Sequence, residues 1–336
     1  MVSTQTATLA LDYVKTIGVT TNNMGRGFIN PYDVAFSKDG RIFVLNHCDS
    51  ARRALIRVGI MNWDEDYLGE FGNGAGSGDG QFILPVAMAF DSQERLYITD
   101  EQNHRITLFD VAGNFLSKWG VLGSGDGELN GPAGITIDAD DHLYVVDQNN
   151  NRVQKFTAEG EYIMQWGEVG SGPGQFNLPW GVALDSPGNV YVADWRNDRI
   201  QKFAPDGRFL MKFGTSGKGD GEFNRPTGVA VDKDGTIYVT DFKNDRLQVF
   251  DADGDFITKL AGEATLSKWG RERVELDPVM MKGRERAQSL EEREKPFQGP
   301  IAVDVDDENR VFVVECARHR LQVFHKQSAI FYGGPV

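Results

Sequence analysis

Side chains that could perform acid–base or metal chemistry recur at one kind of position in this 336-residue chain, just after the second strand-like run of a repeated pattern. The first copy has His47 and Cys48 there, and the last copy has Glu315, Cys316 and His319. A histidine and a carboxylate can act as general bases, so we predict His47 and Glu315 as catalytic residues of a lyase or hydrolase. Nitrogen and sulfur ligands suit Zn²⁺, which makes His47, Cys48, Cys316 and His319 a candidate metal set. The alternative is that the two cysteines are unrelated thiols, because no HxH or HExxH spacing supports a cluster.

A second group of residues predicts a binding pocket. Aromatic side chains next to polar ones follow the opening prolines of the repeats and the aspartates that close the second strands. Such a mixture is typical of a pocket for a small molecule or a peptide. We predict these ligand-binding residues: Tyr32, Asp33, Asn46, Trp180, Trp195, Arg196, Phe242, Lys243 and Trp269. The alternative is that Trp180 and Trp195 only pack neighbouring repeats against each other.

The repeat itself sets where these residues lie. The opening prolines Pro85, Pro132, Pro179 and Pro226 are 47 residues apart, and weaker copies begin at Pro31 and Pro300. Each copy contains short runs that alternate apolar and polar residues, separated by turn signals. A period of this length with three or four strands is typical of a propeller blade. The sequence therefore predicts an all-β, six-bladed β-propeller of four-stranded antiparallel blades.

The motif carries a family resemblance. The pattern Gly-x-Phe-x-x-Pro-x-Gly-Val-Ala-Val-Asp…Tyr-Val-x-Asp-x-x-Asn-x-Arg-Ile-Gln-x-Phe resembles the NHL repeat, whose family fold is the six-bladed propeller. Propellers of this kind include lyases, hydrolases, RNA binders and protein-binding scaffolds, so the resemblance implies the fold more strongly than a function. The peptide-amidating lyases of the family have zinc-binding histidines directly after the opening prolines. This chain has no histidine at those positions, so the resemblance does not extend to that zinc chemistry.

The recurring Asp-x-x-Asn-x-Arg loops have two interpretations. A ring of aspartates could hold Ca²⁺ or Mg²⁺, since these ions prefer oxygen ligands. However, each aspartate is followed by its own arginine, as in Asp194 and Arg199. We therefore favour a structural ion pair that fixes each loop.

The whole chain, residues 1–336, is predicted to form one domain. Residues 11–18 match a fourth strand with no preceding three, so we expect them to close the last blade, with residues 329–332 as the competing strand. Residues 263–298 interrupt the repeat between blades five and six, and Asp277-Pro278 marks a helix start there. We expect this helical insertion to cover one face as a lid that contributes Trp269, or to form a protein contact through Met280 and Met281.

Composition limits the partners. The formal net charge is −14 and no Lys/Arg-rich stripe recurs with the repeat, so we expect no nucleic-acid partner. No apolar run is long enough to cross a membrane, and no secretory signal is visible, which predicts a cytoplasmic protein without a membrane partner. The leading hypothesis is a propeller that binds a small molecule or peptide at its elaborated face and central mouth. A metal-dependent lyase or hydrolase using Zn²⁺ or Ca²⁺ is the second hypothesis, and a protein-interaction scaffold is the third.

Overall fold

The computed structural model describes residues 9–21, 23–47, 55–286 and 294–327. These residues form six four-stranded antiparallel sheets, a two-stranded parallel ladder and two α-helices. Cys48 and the candidate closing strand 329–332 lie outside the described residues.

Each sheet is one blade, and in blades 1 to 5 the strands follow chain order from the innermost to the outermost position. Blade 1 contains β2 (Pro31–Phe36), β3 (Ile42–Asn46), β4 (Arg57–Met61) and β5 (Tyr67–Phe71). Blade 2 contains β6 (Pro85–Phe90), β7 (Leu96–Asp100), β8 (Arg105–Phe109) and β9 (Phe115–Trp119). Blade 3 contains β10 (Pro132–Ile137), β11 (Leu143–Asp147), β12 (Arg152–Phe156) and β13 (Tyr162–Trp166). Blade 4 contains β14 (Val182–Leu184), β15 (Val190–Asp194), β16 (Arg199–Phe203) and β17 (Phe209–Phe213). Blade 5 contains β20 (Pro226–Val231), β21 (Ile237–Asp241), β22 (Arg246–Phe250) and β23 (Phe256–Leu260). Blade 6 contains β24 (Pro300–Val305), β25 (Arg310–Glu315), β26 (Arg320–Lys326) and β1 (Leu11–Ile17). The small ladder pairs β18 (Thr215–Ser216) with β19 (Glu222–Phe223) in one of the connectors between blades.

Burial explains why the strands of one blade differ in sequence. The second strand of each blade is packed on both faces by neighbouring blades, so β21 is buried along its whole length. The outermost strand has one face toward solvent, and β23 accordingly alternates half-buried and exposed residues. The turns between first and second strands are built by an aspartate: in blade 5, Asp232 accepts hydrogen bonds from the amides of Asp234 and Thr236, and Gly235 supplies the positive φ of 84°.

The ring closes between the two ends of the chain. Strand β1 pairs antiparallel with β26, with Leu11 opposite Lys326 and Ile17 opposite Leu321. The N-terminal strand thus supplies the outermost strand of blade 6 and leaves that blade with four strands, like the others. The predicted fold class, a six-bladed propeller with a helical insertion between blades 5 and 6, is confirmed.

The insertion contains α1 (Lys268–Glu275) and α2 (Pro278–Arg286). The predicted helix start at Asp277-Pro278 is confirmed, because the Asp277 carboxylate accepts hydrogen bonds from the amides of Val279 and Met280. No described helix is long and apolar enough to cross a membrane.

The first helix of the insertion is fastened to the outer edge of the ring closure. Ser267 caps α1 and donates a hydrogen bond from its hydroxyl to the carbonyl of Gly18, at the end of β1. Trp269 donates from its indole nitrogen to the carbonyl of Glu65, in the turn between β4 and β5. Both partners belong to the outermost part of their blades, so α1 holds blade 6 and blade 1 together from outside.

Candidate functional site

The recurring aspartate and arginine of each loop form a buried scaffold. In blade 4, Asp194 and Arg199 approach to 2.7 Å, and a second oxygen of Asp194 accepts the amide of Asn177. The Arg199 guanidinium then donates to the carbonyls of Ser171, Gly172 and Gln175 in the connector before the blade. The same ion pair recurs in blades 3, 5 and 6. The structural interpretation is therefore confirmed for the loops of blades 3 to 6, whose carboxylates face arginine rather than an open channel. In blade 2, Asp100 instead accepts the amides of Ile83 and Leu84.

Glu315 and Asn46 occupy this scaffold position in blades 6 and 1. The Glu315 carboxylate is fully buried and accepts hydrogen bonds from Arg320, from the Gln322 side chain and from the amide of Gln298. Asn46 is also fully buried and accepts the amide of Ile29. The structure thus places both predicted site residues in the framework, where Glu315 has its oxygens occupied and is not placed to act as a base.

His47 lies in a different environment, stacked on Tyr32. The two rings are nearly parallel, 9° apart, with centroids 3.9 Å from each other. The Nδ1 atom of His47 is 2.8 Å from the carbonyl oxygen of Pro85, and a carbonyl can only accept, so Nδ1 carries the proton. Burial lowers the pKa of His47, which keeps the ring neutral and leaves Nε2 with a lone pair. Burial also raises the pKa of Tyr32 to about 12, so its phenol stays protonated.

The predicted zinc ligands are held apart in other roles. The Cys316 thiol donates to the carbonyl of Gly299 at 3.3 Å, and burial raises its pKa to about 11, which disfavours the thiolate that zinc requires. The Nδ1 atom of His319 accepts a hydrogen bond from the amide of Asn30, in the connector before the next blade. The Asp198 side chain of blade 4 makes the equivalent contact, because it accepts the amide of Arg225. In the described ranges, His47, Cys316 and His319 are not among the groups of three or more potential ligands that could hold one ion.

One group of potential metal ligands does occur among the described residues, at Asp138, Asp140 and His142. It lies in the turn between β10 and β11, where Asp138 accepts the amides of Asp140 and His142 as the aspartates of other blades do. The Lys155 ammonium is 3.0 Å from the Asp138 carboxylate. A cation from the chain already neutralises this carboxylate, and the cluster is explained by turn formation.

Two aromatic residues cover the upper end of the central channel. Tyr32 and Trp180 follow the opening prolines of blades 1 and 4, which face each other across the ring. Both side chains are partly buried, and both pack on the apolar cluster around Ile301 and on the cluster around Val86. Trp180 belongs to blade 4 but packs on a cluster formed by blades 1 and 6, so its side chain extends across the mouth of the channel, and Tyr32 lines the same channel from blade 1. Tyr32 and Trp180 therefore form an aromatic cover over the channel.

Around this cover lies a basic, aromatic rim. The Trp180 and Trp195 ring centroids are 6.2 Å apart. The guanidiniums of Arg196 and Arg225 lie 5.4 and 5.1 Å from the Trp195 ring, and the Lys243 ammonium lies 5.0 Å from the Phe242 ring. The predicted residues Trp180, Trp195 and Arg196 are thus brought together, joined by Arg225, which was not predicted. Trp269, by contrast, is 4% exposed and packs with Phe28 at the outer edge of the ring.

Beneath the cover is a channel of about 320 Å³, lined by the innermost strands of all six blades. Its wall is mainly Ala, Val, Ile, Leu, Met and Phe, with two carboxylates, Asp33 from β2 and Asp304 from β24. Asp33 accepts the amide of Met88 in the neighbouring blade, and Asp304 accepts the amide of Val305. Neither has an ion-pair partner in the part of the chain that the structure describes. Because protein surrounds both groups, burial raises the pKa of Asp33 to about 8 and that of Asp304 to about 7.

Sequence reasoning identified Asp33 but missed Asp304. The signal was present, because the equivalent residue in each of the other five repeats is small and uncharged: Ala35, Ala89, Thr136, Ala183 and Ala230. A charged residue at this position of an innermost strand is a departure from the repeat. Its meaning emerges only when the ring places β24 next to β2.

Glycines make the channel wall uneven. A Cβ atom on Gly181 would lie 2.2 Å from the carbonyl oxygen of Thr227, and one on Gly134 would lie 2.6 Å from that of Trp180. The innermost strands of blades 3, 4 and 5 can therefore approach closely, and the Gly134 amide even donates to the Trp180 carbonyl across the blade boundary. Blade 1 has Asp33 at the equivalent position, and its side chain instead accepts the Met88 amide of blade 2.

Comparisons with known proteins agree with this architecture. The NHL repeat family model matches residues 129–156, 176–203, 223–250 and 297–324. A catalytically inactive variant of virginiamycin B lyase from Staphylococcus aureus, solved with quinupristin, is similar with a TM-score of 0.59 and 13% identity over 96% of this chain and 90% of that one. A gluconolactonase from Xanthomonas campestris gives 0.56 and 14% over 96% and 99%, and the WD40 propeller domain of Doa1 gives 0.56 and 9% over 90% and 81%. No curated protein matches the chain by sequence. At these identities the similar structures show the fold alone.

Proposed function

Since this chain is a six-bladed β-propeller built from NHL repeats, we propose that it binds a small molecule in the central channel beneath Tyr32 and Trp180. The observation that carries the proposal is the channel itself. It combines a lining made mostly of nonpolar residue types, an aromatic cover and two carboxylates without a cationic partner among the described residues. A concave site lined mainly by nonpolar residues, with a few convergent polar groups, is the usual form of a ligand site.

The scaffold supports a site in the channel rather than in the loops. The loop carboxylates of blades 3 to 6 pair with arginines, and the connectors are tied to those arginines. Asp33 and Asp304 have no such partner in the described chain, and burying an unpaired charge is costly. A ligand that satisfies these groups would therefore gain binding free energy.

The proposal is tested by narrowing the channel. Fragment-sized compounds would be screened against the wild-type protein by saturation-transfer NMR, and each hit would be repeated on Ala89→Leu, which adds side-chain volume to the channel wall. We expect hits to lose binding in Ala89→Leu and to keep it in the control Val169→Leu, at a residue 71% exposed on a connector. Hits that bind Ala89→Leu unchanged, or that crystallise elsewhere on the surface, would contradict the proposal.

A second candidate function is catalysis at the mouth, with His47 as a general base. Its specific support is the fixed tautomer, because the Pro85 carbonyl holds the proton on Nδ1 and leaves Nε2 able to accept one. Two of the similar structures carry enzyme names, a lyase and a gluconolactonase. A panel of lactones and esters would be assayed with wild type, His47→Gln and Tyr32→Phe. Turnover that survives His47→Gln would exclude this role for His47.

The remaining sequence hypotheses stay predictions. A protein partner would use Met280 and Met281 of the insertion, which are 47% and 39% exposed. A metal, Zn²⁺ or Ca²⁺, is not required by the proposal, since Asp33 and Asp304 can be satisfied by protons or by a ligand. The expected cytoplasmic location and the absence of nucleic-acid and membrane partners accompany the proposal as expectations from the sequence.

A further inference from the structure

The two channel carboxylates limit the charge of a ligand. Asp33 uses an oxygen to accept the Met88 amide, and Asp304 uses one to accept the Val305 amide, which leaves further acceptor capacity on each group. No Lys, Arg or His of the described chain pairs with either of them. A ligand group that donates hydrogen bonds and carries positive charge would use the remaining acceptor capacity and also supply the missing cation.

The Asp33 and Asp304 carboxylates lie at different depths along the channel, which limits the shape of a ligand that can reach both. Asp33 is the third residue of β2 and Asp304 is the fifth residue of β24, and both strands begin at the same mouth with the proline of their repeat. Two residues of a strand correspond to roughly 7 Å along the axis. The carboxylates are thus offset in depth on adjacent blades, near enough for Asp304 to raise the pKa of Asp33.

This arrangement fits an elongated cation better than a metal ion. Divalent metals such as Ca²⁺ take six or more oxygen ligands around one point. Here the carboxylates are offset, and the half-buried nonpolar residues of the channel wall on β6 and β24 include Ala87, Ala89 and Ala302. A hydrocarbon chain would contact this wall, while an ammonium group at the level of each carboxylate would pair with it. An ammonium group at the upper end would also face the rings of Tyr32 and Trp180, which attract cations.

We propose that the channel ligand is a small organic amine bound as its ammonium ion, and that a second ammonium group on a short chain strengthens binding by pairing with the second carboxylate. This inference rests on the proposed function, because it names the ligand class of the same channel. It assigns Asp33 and Asp304 as the residues that select the charge of the ligand, and the aliphatic wall as the part that selects its shape.

The test compares four compounds that share a four-carbon chain and differ in charge. Binding of 1,4-diaminobutane, 1-aminobutane, 1-butanol and butanoate to the wild-type protein would be measured by calorimetry at millimolar concentrations. We expect affinity to fall in that order, with the diamine at least about tenfold tighter than the monoamine, since a tenfold change corresponds to 1.4 kcal/mol for one added ion pair. Asp304→Asn and Asp33→Asn should each remove most of the advantage of the diamine over the monoamine.

The control variant is Asp307→Asn, which makes the same charge change at an exposed residue just beyond β24. It should leave all four affinities unchanged. Because asparagine keeps an acceptor for the amide that each aspartate binds, the channel variants are expected to remain folded, and circular dichroism melting would verify this. Butanol binding as tightly as the amines would overturn the inference and leave the proposed function intact.

Two other outcomes would also overturn it. One is a lack of amine binding in a protein whose channel does bind fragments that Ala89→Leu rejects. The other is a thermal shift caused by CaCl₂ or ZnCl₂, lost in Asp304→Asn, without any shift caused by the amines. If no compound of any kind binds the channel, the proposed function fails together with the inference.

Discussion

The role of the insertion can be decided by one side chain, Trp269. The indole is 4% exposed, packs edge-on against Phe28 with ring centroids 5.8 Å apart, and donates at 2.6 Å to the Glu65 carbonyl. Removing a buried tryptophan side chain usually costs about 3–5 kcal/mol. Trp269→Ala should therefore lower the free energy of unfolding by that amount. Trp269→Phe should cost about 1–3 kcal/mol, because it keeps most of the apolar contact but leaves the carbonyl without its donor.

The assay is equilibrium unfolding in urea, with hydrogen exchange to locate the effect. In Trp269→Ala we expect the amides of β1, Leu11–Ile17, to exchange faster before global unfolding, since α1 holds that closing strand from outside. The matched control is Leu276→Ala, just after the same helix and 86% exposed, which should change stability by less than about 0.5 kcal/mol. Unchanged stability in Trp269→Ala together with lost ligand binding would refute this reasoning and restore a lid function for the insertion.

Three further predictions concern the scaffold and the channel. Arg199→Ala leaves a buried carboxylate without its partner and should cost about 3–5 kcal/mol in urea unfolding; a cost near zero would contradict the scaffold role. Gly181→Ala should destabilise by about 1–3 kcal/mol, because its Cβ would meet the Thr227 carbonyl, whereas Gly283→Ala, in open space on α2, should stabilise slightly; equal melting temperatures would contradict the close approach. Burial raises the pKa of Asp304 from 3.8 to about 7, so the folded protein holds this proton more tightly than the unfolded chain and loses stability as pH rises through that range. Asp304→Asn should therefore be most stabilising near neutral pH and nearly neutral near pH 3.8; a difference that does not vary with pH would contradict the assigned burial.

The sequence repeat allowed the fold to be predicted. The 47-residue spacing of Pro85 to Pro226 and the alternation within each copy predict blades, and the structure has six of them. The scaffold role of Asp194 and Arg199 was also predictable, because an acid and a base that recur together in one loop have each other as nearest partners. Local patterns succeed here because each blade is formed by residues close in sequence.

The site was only partly predictable, for a reason that Glu315, Trp269 and Asp304 illustrate. Glu315 departs from the repeat in residue type but keeps the scaffold contacts of the aspartates, so the departure alone gave no function. Trp269 lies in the insertion, and only its contacts with Phe28 and with the turn at Glu65 reveal that it packs at the outer edge. Asp304 acquires meaning from a neighbour that is 271 positions away in sequence, Asp33.

The sequence by itself determined the blades, their number and the buried ion pairs within them, because strand alternation, turns and loop partners are local interactions. The tertiary structure decided which departures from the repeat share one space. Closing the ring brings the first and last blades together, so that Asp33 and Asp304 line the same channel under Tyr32 and Trp180. That proximity depends on the angle at which six blades pack around an axis. The contacts between blades set this angle, so the sequence of a single repeat does not determine it.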